Sequence, residues 1–275
     1  MSADGLFDHV LPGARVLLAL DLDGTLVLSG HEPTPRVRSA VRSLAAAGAM
    51  VVLATGRQLH NTVPVVTALG LPETWVVASD GAIVARYLGA NQAMLGKQTF
   101  DPRPLAAALL ARDPEVTLGA EDIGVGYLVN RRFEKTIERE DRQRVVDEFP
   151  SAVTMFTAGS SALTGAQLAA TAGALGLSCT GWDEFGMGWV HVAGPGLSKA
   201  AGVASLAATA ASARDLSVAV GDFHNDAALL AWADIGVAMG HAPDEVKAIA
   251  DHVTGSIHND GVAEVVEALL AAVRR

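Results

Sequence analysis

The sequence is poor in cysteine, charge and aromatic residues. Cys179 is the single cysteine among 275 residues, so neither a disulfide framework nor a thiolate metal cage has a second ligand. Because no base neighbours Cys179 in the sequence, we expect an inert thiol, and a reducing cytoplasm is the compartment that fits best. Half of the residues are hydrophobic and only 18% are charged, a composition that excludes a disordered polyanion.

Positive charge is also scarce. Lys and Arg number 20 against 30 Asp and Glu, which gives a formal net charge of −10, and the basic residues form no long run. Nucleic acids and anionic lipid surfaces attract proteins through clustered positive charge. We therefore expect neither a nucleic acid nor a membrane surface as a partner.

Long hydrophobic runs are missing as well. The first apolar run covers only 16–20 and does not resemble a secretory signal. The segment 149–182 carries no charge and is long enough to cross a bilayer, but Gly, Ser, Thr and Ala dominate it. These residues gain little from transfer into lipid, so we expect no membrane span.

Short runs rich in Val and Leu alternate with longer Ala-rich stretches. This rhythm predicts an α/β fold with a Rossmann-like parallel sheet core that helices cover on both faces. Gly48 and Gly70 mark the ends of the first two helices, and Pro64 predicts a kink or a late start in the second. The expected strands are 16–21, 50–54 and 75–79, and the expected helices are 34–47 and 58–69.

The rhythm breaks after Gly81 and resumes near 189–192. The intervening segment predicts strands at 83–87, 93–100, 116–123, 124–130 and 152–158, with helices at 104–112, 135–149 and 165–175. The later part predicts strands at 216–220 and 235–238, with helices from Ser198, at 227–232 and at 243–250. Because insertions are tolerated at exposed loops of a finished scaffold, we interpret 83–187 as an inserted α+β cap domain. Residues 1–82 and 188–275 then form the core domain.

The segment DLDGTL at 21–26 carries two carboxylates directly after the first apolar strand. Ligands of open α/β sheets collect at the carboxyl ends of the strands, and residues two apart in an extended chain share one side. Asp21 and Asp23 would therefore lie close together and repel each other unless a cation neutralises them. A hard divalent ion with oxygen ligands, most plausibly Mg²⁺, fits that requirement.

Further polar residues follow other predicted strands or begin helices. Thr55 and Gly56 end the second strand with a hydroxyl and a backbone amide, and Lys199 stands at the start of a helix. The segment GDFHND at 221–226 adds two carboxylates after a later strand. Acids at two strand ends with Thr and Lys between them predict a metal-assisted phosphoryl-transfer site.

These segments resemble the four motifs of the haloacid dehalogenase superfamily of phosphohydrolases, and they occur in the same order. The place of the insertion, after the third strand and before Lys199, is similar to the Cof-like subfamily with an α/β cap of the C2 type. The tail segments VAMG at 237–240, PDEVK at 243–247 and NDGV at 259–262 resemble that subfamily too. One departure is Asp80, because the subfamily usually has Asn before Gly at this position.

The resemblance implies covalent catalysis by two acids. Asp21 would attack phosphorus and form an aspartyl-phosphate, while Asp23 would protonate the leaving oxygen and later deprotonate the attacking water. Chemistry agrees, because a carboxylate is a competent nucleophile and one acid can serve both directions of proton transfer. Mg²⁺ would be held by Asp21, the backbone carbonyl of Asp23 and Asp222, with Asp226 touching the ion directly or through its ligands.

The resemblance also implies a phosphate-binding set. Thr55, the amide of Gly56 and Lys199 would stabilise the phosphoryl oxygens, where charge accumulates during transfer. Asn225 would hold either Lys199 or the phosphoryl group. Arg57 is open between a contact with substrate and a brace for Asp80.

Each motif taken alone also has a structural explanation. Asp and Gly favour turns, Gly often ends a strand, and a Lys at a helix start is usually solvated. Asp222 and Asp226 would serve equally to cap the following helix. Only the full set in order makes the functional interpretation the better one, and no role is assigned to His60, His191 or His241.

The leading hypothesis is a Mg²⁺-dependent phosphatase that hydrolyses a small-molecule phosphomonoester such as a sugar phosphate. Two alternatives remain open: a phosphosugar mutase of the same superfamily, and a non-catalytic phosphate-binding regulatory module on the same scaffold. The glycines near 81–82 and 186–188 are expected to act as hinges of the cap. Cap residues from the turn at 121–124 are expected to reach over the phosphate.

Overall fold

Two β-sheets organise the chain in a computed structural model that describes residues 5–28, 30–133, 142–209 and 214–275. The strands are β1 (Val16–Leu20), β2 (Met50–Ala54), β3 (Glu73–Ala78), β4 (Ile83–Leu88), β5 (Asn91–Lys97), β6 (Thr117–Asp122), β7 (Gly126–Val129), β8 (Gln143–Val145), β9 (Phe156–Ser160), β10 (Ser178–Glu184), β11 (Met187–Ala193), β12 (Leu216–Gly221), β13 (Ile235–Ala238) and β14 (His252–Val253). The helices are α1 (Pro35–Ala46), α2 (Leu59–Leu69), α3 (Arg103–Arg112), α4 (Gly165–Gly173), α5 (Lys199–Thr209), α6 (Ala227–Trp232), α7 (Asp244–Lys247) and α8 (Gly261–Arg274).

The first sheet is the core and has the strand order β14-β13-β12-β1-β2-β3-β4-β5. Strands β14 to β3 along this order are parallel, and β4 and β5 extend the sheet with antiparallel pairing. All five residues of β1 are buried because helices cover both faces. Leu18 and Leu20 pack with α1 and α8, whereas Leu17 and Ala19 pack with α5 and α6. The predicted α/β fold with a parallel core is confirmed.

The second sheet lies within the inserted part of the chain and has the order β10-β11-β9-β6-β7-β8. Its pairings are antiparallel except for β7 with β8. One face packs against α3 and α4, where Phe156, Val190 and Leu118 meet Leu105 and Leu168 in a separate hydrophobic cluster. A second core of this kind is what an inserted cap requires.

The two sheets divide the chain at points other than those expected. Strands β4 and β5 were expected in the cap, but they pair with β3 and belong to the core sheet. Strand β11 was expected in the core, but it pairs with β9 and β10 in the second sheet. We therefore propose that the cap runs from about residue 98 to about residue 193. Hairpin spacing marks antiparallel strands but does not show which sheet they join.

Sequence patterns were least informative inside the cap. The charged helix expected at 135–149 is wrong where the structure describes it, because Gln143–Val145 forms β8, and 135–141 lies outside the described residues. Strand β10 was not expected at all. Helix propensity is a weak preference that pairing with a neighbouring strand overrides.

Other expectations concern single residues and the membrane. Pro64 lies inside α2, which continues through it from Leu59 to Leu69. Burial raises the pKa of the Cys179 thiol, which favours the unreactive protonated form. Among the described residues, no helix combines the length and apolar character that crossing a bilayer requires.

Candidate active site

The carboxyl ends of β1 and β12 bring two acids to the same edge of the core sheet. The strands are parallel neighbours with Leu20 opposite Val220, and the amide of Asp21 donates to the carbonyl of Val220 at 3.0 Å. Asp21 follows β1 directly and Asp222 follows β12 directly. Adjacent parallel strands therefore place the predicted acids side by side, as the sequence argument required.

Lys199 is the centre of a buried ionic triad. Its ammonium group donates to Asp21 Oδ1 at 2.6 Å and to Asp226 Oδ1 at 2.7 Å. The three side chains are exposed by 5% or less. Burial alone lowers the pKa of Lys199, but the carboxylates of Asp21, Asp226 and Asp80 outweigh it and raise that pKa. The lysine is therefore a fixed cation at the strand edge.

Asp226 organises the loop after β12. Its Oδ2 accepts from the backbone amides of Asp222 and Phe223, each at 3.0 Å, while its Oδ1 accepts from Lys199. The Asp222 carboxylate in turn accepts from Thr25 Oγ1 at 2.8 Å. Both oxygens of Asp226 are thus engaged in holding the loop and the lysine.

Asp21, Asp222 and Asp226 form an acidic cluster in which one oxygen of each lies within 4.8 Å of the others. Burial, followed by the neighbouring Asp226 carboxylate, raises the pKa of Asp21, and burial also raises the pKa of Asp222. Three carboxylates meet one ammonium group here, so negative charge is in excess. An oxygen-rich, doubly negative site fits a hard divalent cation such as Mg²⁺.

Gly24 allows the loop after β1 to approach Asp222. Its φ is +84°, in the left-handed region, and a Cβ at this position would lie 2.3 Å from Asp222 Oδ2. Any side chain would therefore collide with a predicted metal ligand. This close approach explains why the DLDGTL segment has a glycine at position 24.

Asp23 is held by an arginine instead of lying in the acidic cluster. The guanidinium group of Arg57 donates to both oxygens of Asp23, at 2.7 Å from Nε and at 2.5 Å from Nη2. The Asp23 side chain is 47% exposed, so it faces the open side of the site. Arg57 was left open between a contact with substrate and a brace for Asp80, and the structure adds a pairing with Asp23 to these two predictions.

Thr55 and Gly56, two of the residues predicted to bind phosphate, lie at the end of β2 beside the loop that follows β3. The hydroxyl of Thr55 accepts from the amide of Arg57 at 3.0 Å. Asn225 donates to Asp80 Oδ1 at 3.2 Å, whereas a contact with Lys199 or the phosphoryl group was expected. Asp80 adopts a left-handed conformation with φ of 49°, which turns its carboxylate toward Gly56. The residue that departs from the subfamily pattern thus faces the site.

The cap touches the core through Glu121. Its carboxylate accepts from Ser79 Oγ at 2.6 Å, from Thr154 Oγ1 at 2.7 Å and from the amide of Leu59 at 3.2 Å. Burial raises the pKa of Glu121. Glu121 thus reaches the loop after β3 and the start of α2. That residues of the 121–124 turn reach over the phosphate stays a prediction.

The second expected hinge is wrong. Gly186 and Gly188 lie at and next to the tight turn between β10 and β11, which pair along their length, so the chain does not cross between domains there. The crossings lie instead near Gln98 and Leu197, and both contact Ala82. The expected hinge near Gly81 adjoins these crossings.

Sequence reasoning assigned no role to His241 and His191, but the structure places both near the site. His241 Nε2 lies 3.5 Å from Asp222 Oδ2, and His191 carries a pKa that burial lowers and that the charges of Asp80, Asp23 and Lys199 also influence. His241 follows β13, the neighbour of β12, so the order of strands was needed to find it. His191 required knowledge of which cap face meets the core.

A sequence profile of the haloacid dehalogenase-like hydrolases matches residues 18–113 and 130–266 of this chain. The chain belongs to that family. Solved structures of haloacid dehalogenase-like hydrolases share its fold, including one from Bacteroides thetaiotaomicron with a TM-score of 0.73 and 23% identity, covering 93% of this chain and 99% of that one. A phosphatase of the superfamily from the same organism gives a TM-score of 0.74 and 26% identity, covering 94% of this chain and 96% of its own.

Curated relatives of this haloacid dehalogenase-like hydrolase are named phosphatases. A phosphoglycolate phosphatase of Natronomonas pharaonis is 28% identical over 253 residues, which cover 91% of this chain and 96% of the relative. Phosphatase YwpJ of Bacillus subtilis is 25% identical, covering 92% of this chain and 99% of its own. The expected Cof-like membership and the reaction class, a phosphoric monoester hydrolase, are confirmed.

Proposed function

We propose that this hydrolase is a Mg²⁺-dependent phosphatase that cleaves a small-molecule phosphomonoester through an aspartyl-phosphate on Asp21. The observation that carries the proposal is the convergence of Asp21 with Lys199 and the Asp222 and Asp226 carboxylates at one strand edge. Relatives named phosphoglycolate phosphatase and 5-amino-6-(5-phospho-D-ribitylamino)uracil phosphatase support a small phosphorylated metabolite as the substrate.

Two acids divide the covalent chemistry in this proposal. An oxygen of Asp21 forms a bond to phosphorus as the bond to the leaving oxygen breaks, and Asp23 donates the proton that the leaving group needs. In the second half, Asp23 takes a proton from water, which attacks phosphorus and releases Asp21 as a carboxylate. The double hydrogen bond from Arg57 orients Asp23, which must rotate or lose one of these bonds to protonate the leaving oxygen.

The phosphoryl oxygens are assigned to Thr55, the amide of Gly56, Lys199 and Asn225. Lys199 is already fixed beside Asp21, so its charge stands where negative charge develops, without reorganisation during transfer. Asn225 keeps its amide oriented through Asp80.

Mg²⁺ would be held by the Asp21 carboxylate, the backbone carbonyl of Asp23 and the Asp222 carboxylate. When bound, it neutralises the excess carboxylate charge and lowers the cost of bringing a phosphate dianion against Asp21. Asp226 positions this set, because its Oδ1 accepts from Lys199 and its Oδ2 accepts from the backbone amides of Asp222 and Phe223.

The test is phosphate release from a panel of phosphomonoesters with and without Mg²⁺. We expect release that requires Mg²⁺, and we expect Asp21→Asn to lower kcat by about 10³-fold or more, because it removes the nucleophile. Asp101→Asn is the matched control, since Asp101 is an exposed acid paired with Arg103 in the cap.

Two outcomes would contradict the proposal. One is a folded protein that releases no phosphate from any member of the panel. The other is an Asp21→Asn variant that keeps full turnover, which would assign the covalent step elsewhere. A third outcome would favour a regulatory module: the parent protein shows no turnover, and the Asp21→Asn variant keeps the ligand binding and the biological effect of the parent.

A further inference from the structure

The second sheet has one face that α3 and α4 do not cover. Along β11 and β9, Val190 and Phe156 point toward those helices. Side chains alternate along a strand, so His191 and Thr157 point to the opposite face. His191 pairs with Thr157, and Thr157 pairs with Gly119 of β6, which gives a row across three strands. We call His191, Thr157 and Gly119 the cap row.

The cap row faces the core active site. Glu121, two residues beyond Gly119 on the same face of β6, contacts Ser79 and the amide of Leu59 in the core. The charges of Asp80, Asp23 and Lys199 act on His191. The cap row therefore lies opposite the edge where the leaving group of a phosphomonoester would emerge.

The cap row presents a polar atom that lacks a protein partner. Thr157 is 5% exposed, and within the described ranges no group forms a hydrogen bond with its Oγ1. Buried hydroxyl groups are normally satisfied, so an unpaired one beside an active site points to a ligand. Burial lowers the pKa of the neighbouring His191, which leaves an uncharged imidazole able to donate and accept.

Aromatic rings flank these polar groups. The ring of Trp182 meets His191 edge to face, with centroids 4.8 Å apart, and stacks on Trp189 at 6.5 Å. Gly159 leaves the space for Trp189, because a Cβ there would lie 2.7 Å from its ring. Apolar rings next to hydroxyl and imidazole groups suit a carbon skeleton that carries hydroxyl groups.

The charged residues around the cap row indicate whether its ligand carries a second anionic group. Strands β6, β7, β9, β10 and β11 contain no Lys or Arg. Because side chains alternate along a strand, the acids on the face of the cap row are Glu121 and Glu184, whereas Asp122 and Asp183 point to the opposite face. On the core side, Arg57 is paired with Asp23 and Lys199 with two carboxylates. A second anionic group on the substrate would therefore meet carboxylates and no cation from these strands.

Resting on the proposed phosphatase function, we infer that Thr157 and His191 bind the leaving group and select an uncharged, hydroxyl-bearing one over a carboxylate. The two relatives named phosphoglycolate phosphatase would then differ from this protein in the substrate they prefer. The specificity lies in the cap row, while the phosphoryl chemistry stays with the core.

The experiment compares kcat/KM for a polyol or sugar phosphate, for 2-phosphoglycolate and for p-nitrophenyl phosphate, all with Mg²⁺. We expect the hydroxylated substrate to exceed 2-phosphoglycolate by about tenfold or more. Thr157→Val should lower kcat/KM for the hydroxylated substrate about tenfold, mainly through KM, as expected for one lost hydrogen bond in a buried site. It should lower kcat/KM for p-nitrophenyl phosphate by a smaller factor, because that leaving group carries no hydroxyl group beyond the ester oxygen.

Thr74→Val is the matched control, because Thr74 also buries an unpaired hydroxyl in a strand, but in β3 of the core. It should change none of the three values. His191→Phe is a second variant that keeps a ring and removes the nitrogens, and it should reduce the same preference if Thr157→Val does not fold.

The outcomes separate the two proposals. If the parent protein hydrolyses neither the three compounds nor any other member of the phosphomonoester panel, the proposed function fails. If it hydrolyses them but prefers 2-phosphoglycolate, or if Thr157→Val and His191→Phe change all three substrates equally, the inference about the cap row is wrong and the proposed function stands.

Discussion

Gly24 leaves the space that the Asp222 carboxylate of the acidic cluster occupies, because it has no side chain. We predict that Gly24→Ala reduces phosphatase activity at least about 100-fold, because its Cβ would displace Asp222 as well as strain a left-handed residue. The measurement is kcat/KM on the best substrate of the panel.

Gly13→Ala provides the matched control for this prediction. Gly13 has a φ of +72°, but a Cβ there would meet nothing within 4 Å. Both variants carry the cost of a left-handed alanine, about 1 kcal/mol, so their difference isolates the collision with Asp222. Equal activity in the two variants would show that the collision of the Cβ with Asp222 does not affect catalysis.

At the residue scale, the sequence predicted that Asp21, Lys199 and Asp226 belong to one site, but it did not predict the pairs that other site residues form. Asp21 and Lys199 could be placed because they follow a strand or begin a helix, and the order of strands then brings them together. The pairs Arg57 with Asp23 and Asn225 with Asp80 depend on side-chain reach and on the left-handed turn at Asp80. Such details follow from tertiary geometry, which spacing along the chain does not contain.

At the element scale, Glu121 connects β6 of the cap to the start of α2 in the core. Burial raises the pKa of Glu121 above the ordinary value of 4.5. At a pH between the unfolded pKa and the native pKa, the native state therefore holds a proton that the unfolded chain has released. The free energy of unfolding therefore falls as pH rises from about 4.5 through the raised pKa, with a slope of up to about 1.4 kcal/mol per pH unit. Glu121→Gln should lack this slope in urea unfolding.

Glu267→Gln is the control for the sign of this effect. Arg36 lowers the pKa of Glu267, so that carboxylate stabilises the fold above its unfolded pKa and loses this contribution as pH falls. Its variant should change the pH profile in the opposite direction. A Glu121→Gln profile identical to that of the parent would show that burial does not raise the pKa of Glu121 in the native state.

The strands and helices of the core were predictable to a greater extent than those of the cap. In β1 and β12 the residues are buried on both faces, so their apolar runs stand out from polar surroundings. Strand β10 has no apolar run and no apolar alternation, and β8 lies in a charged segment. Both strands form because a neighbour pairs with them, a stabilisation that the local sequence does not display.

At the scale of the whole molecule, we predict that Mg²⁺ raises the melting temperature. A ligand present at 100 times its Kd stabilises the native state by about 2.7 kcal/mol, which corresponds to several degrees for a chain of this size. Relief of carboxylate repulsion in the acidic cluster is the physical cause, and a chelator should reverse the shift in a calorimetric scan.

Asp222→Asn should lose most of this shift, because it removes one of three carboxylates. Asp215→Asn is the control, since Asp215 is paired with Arg15 at the surface and lies outside the cluster. An equal response to Mg²⁺ in both variants would place the ion elsewhere.

The two crossings between core and cap lie side by side. The chain leaves near Gln98, whose amide donates to the carbonyl of Ala82, and returns at Leu197, which packs on Ala82. Recombination between related genes would therefore need to match this patch and the surface that receives Glu121 to transplant the entire insert. New metabolites would come within reach by exchanging one contiguous block of sequence, while the machinery for breaking the ester stayed unchanged.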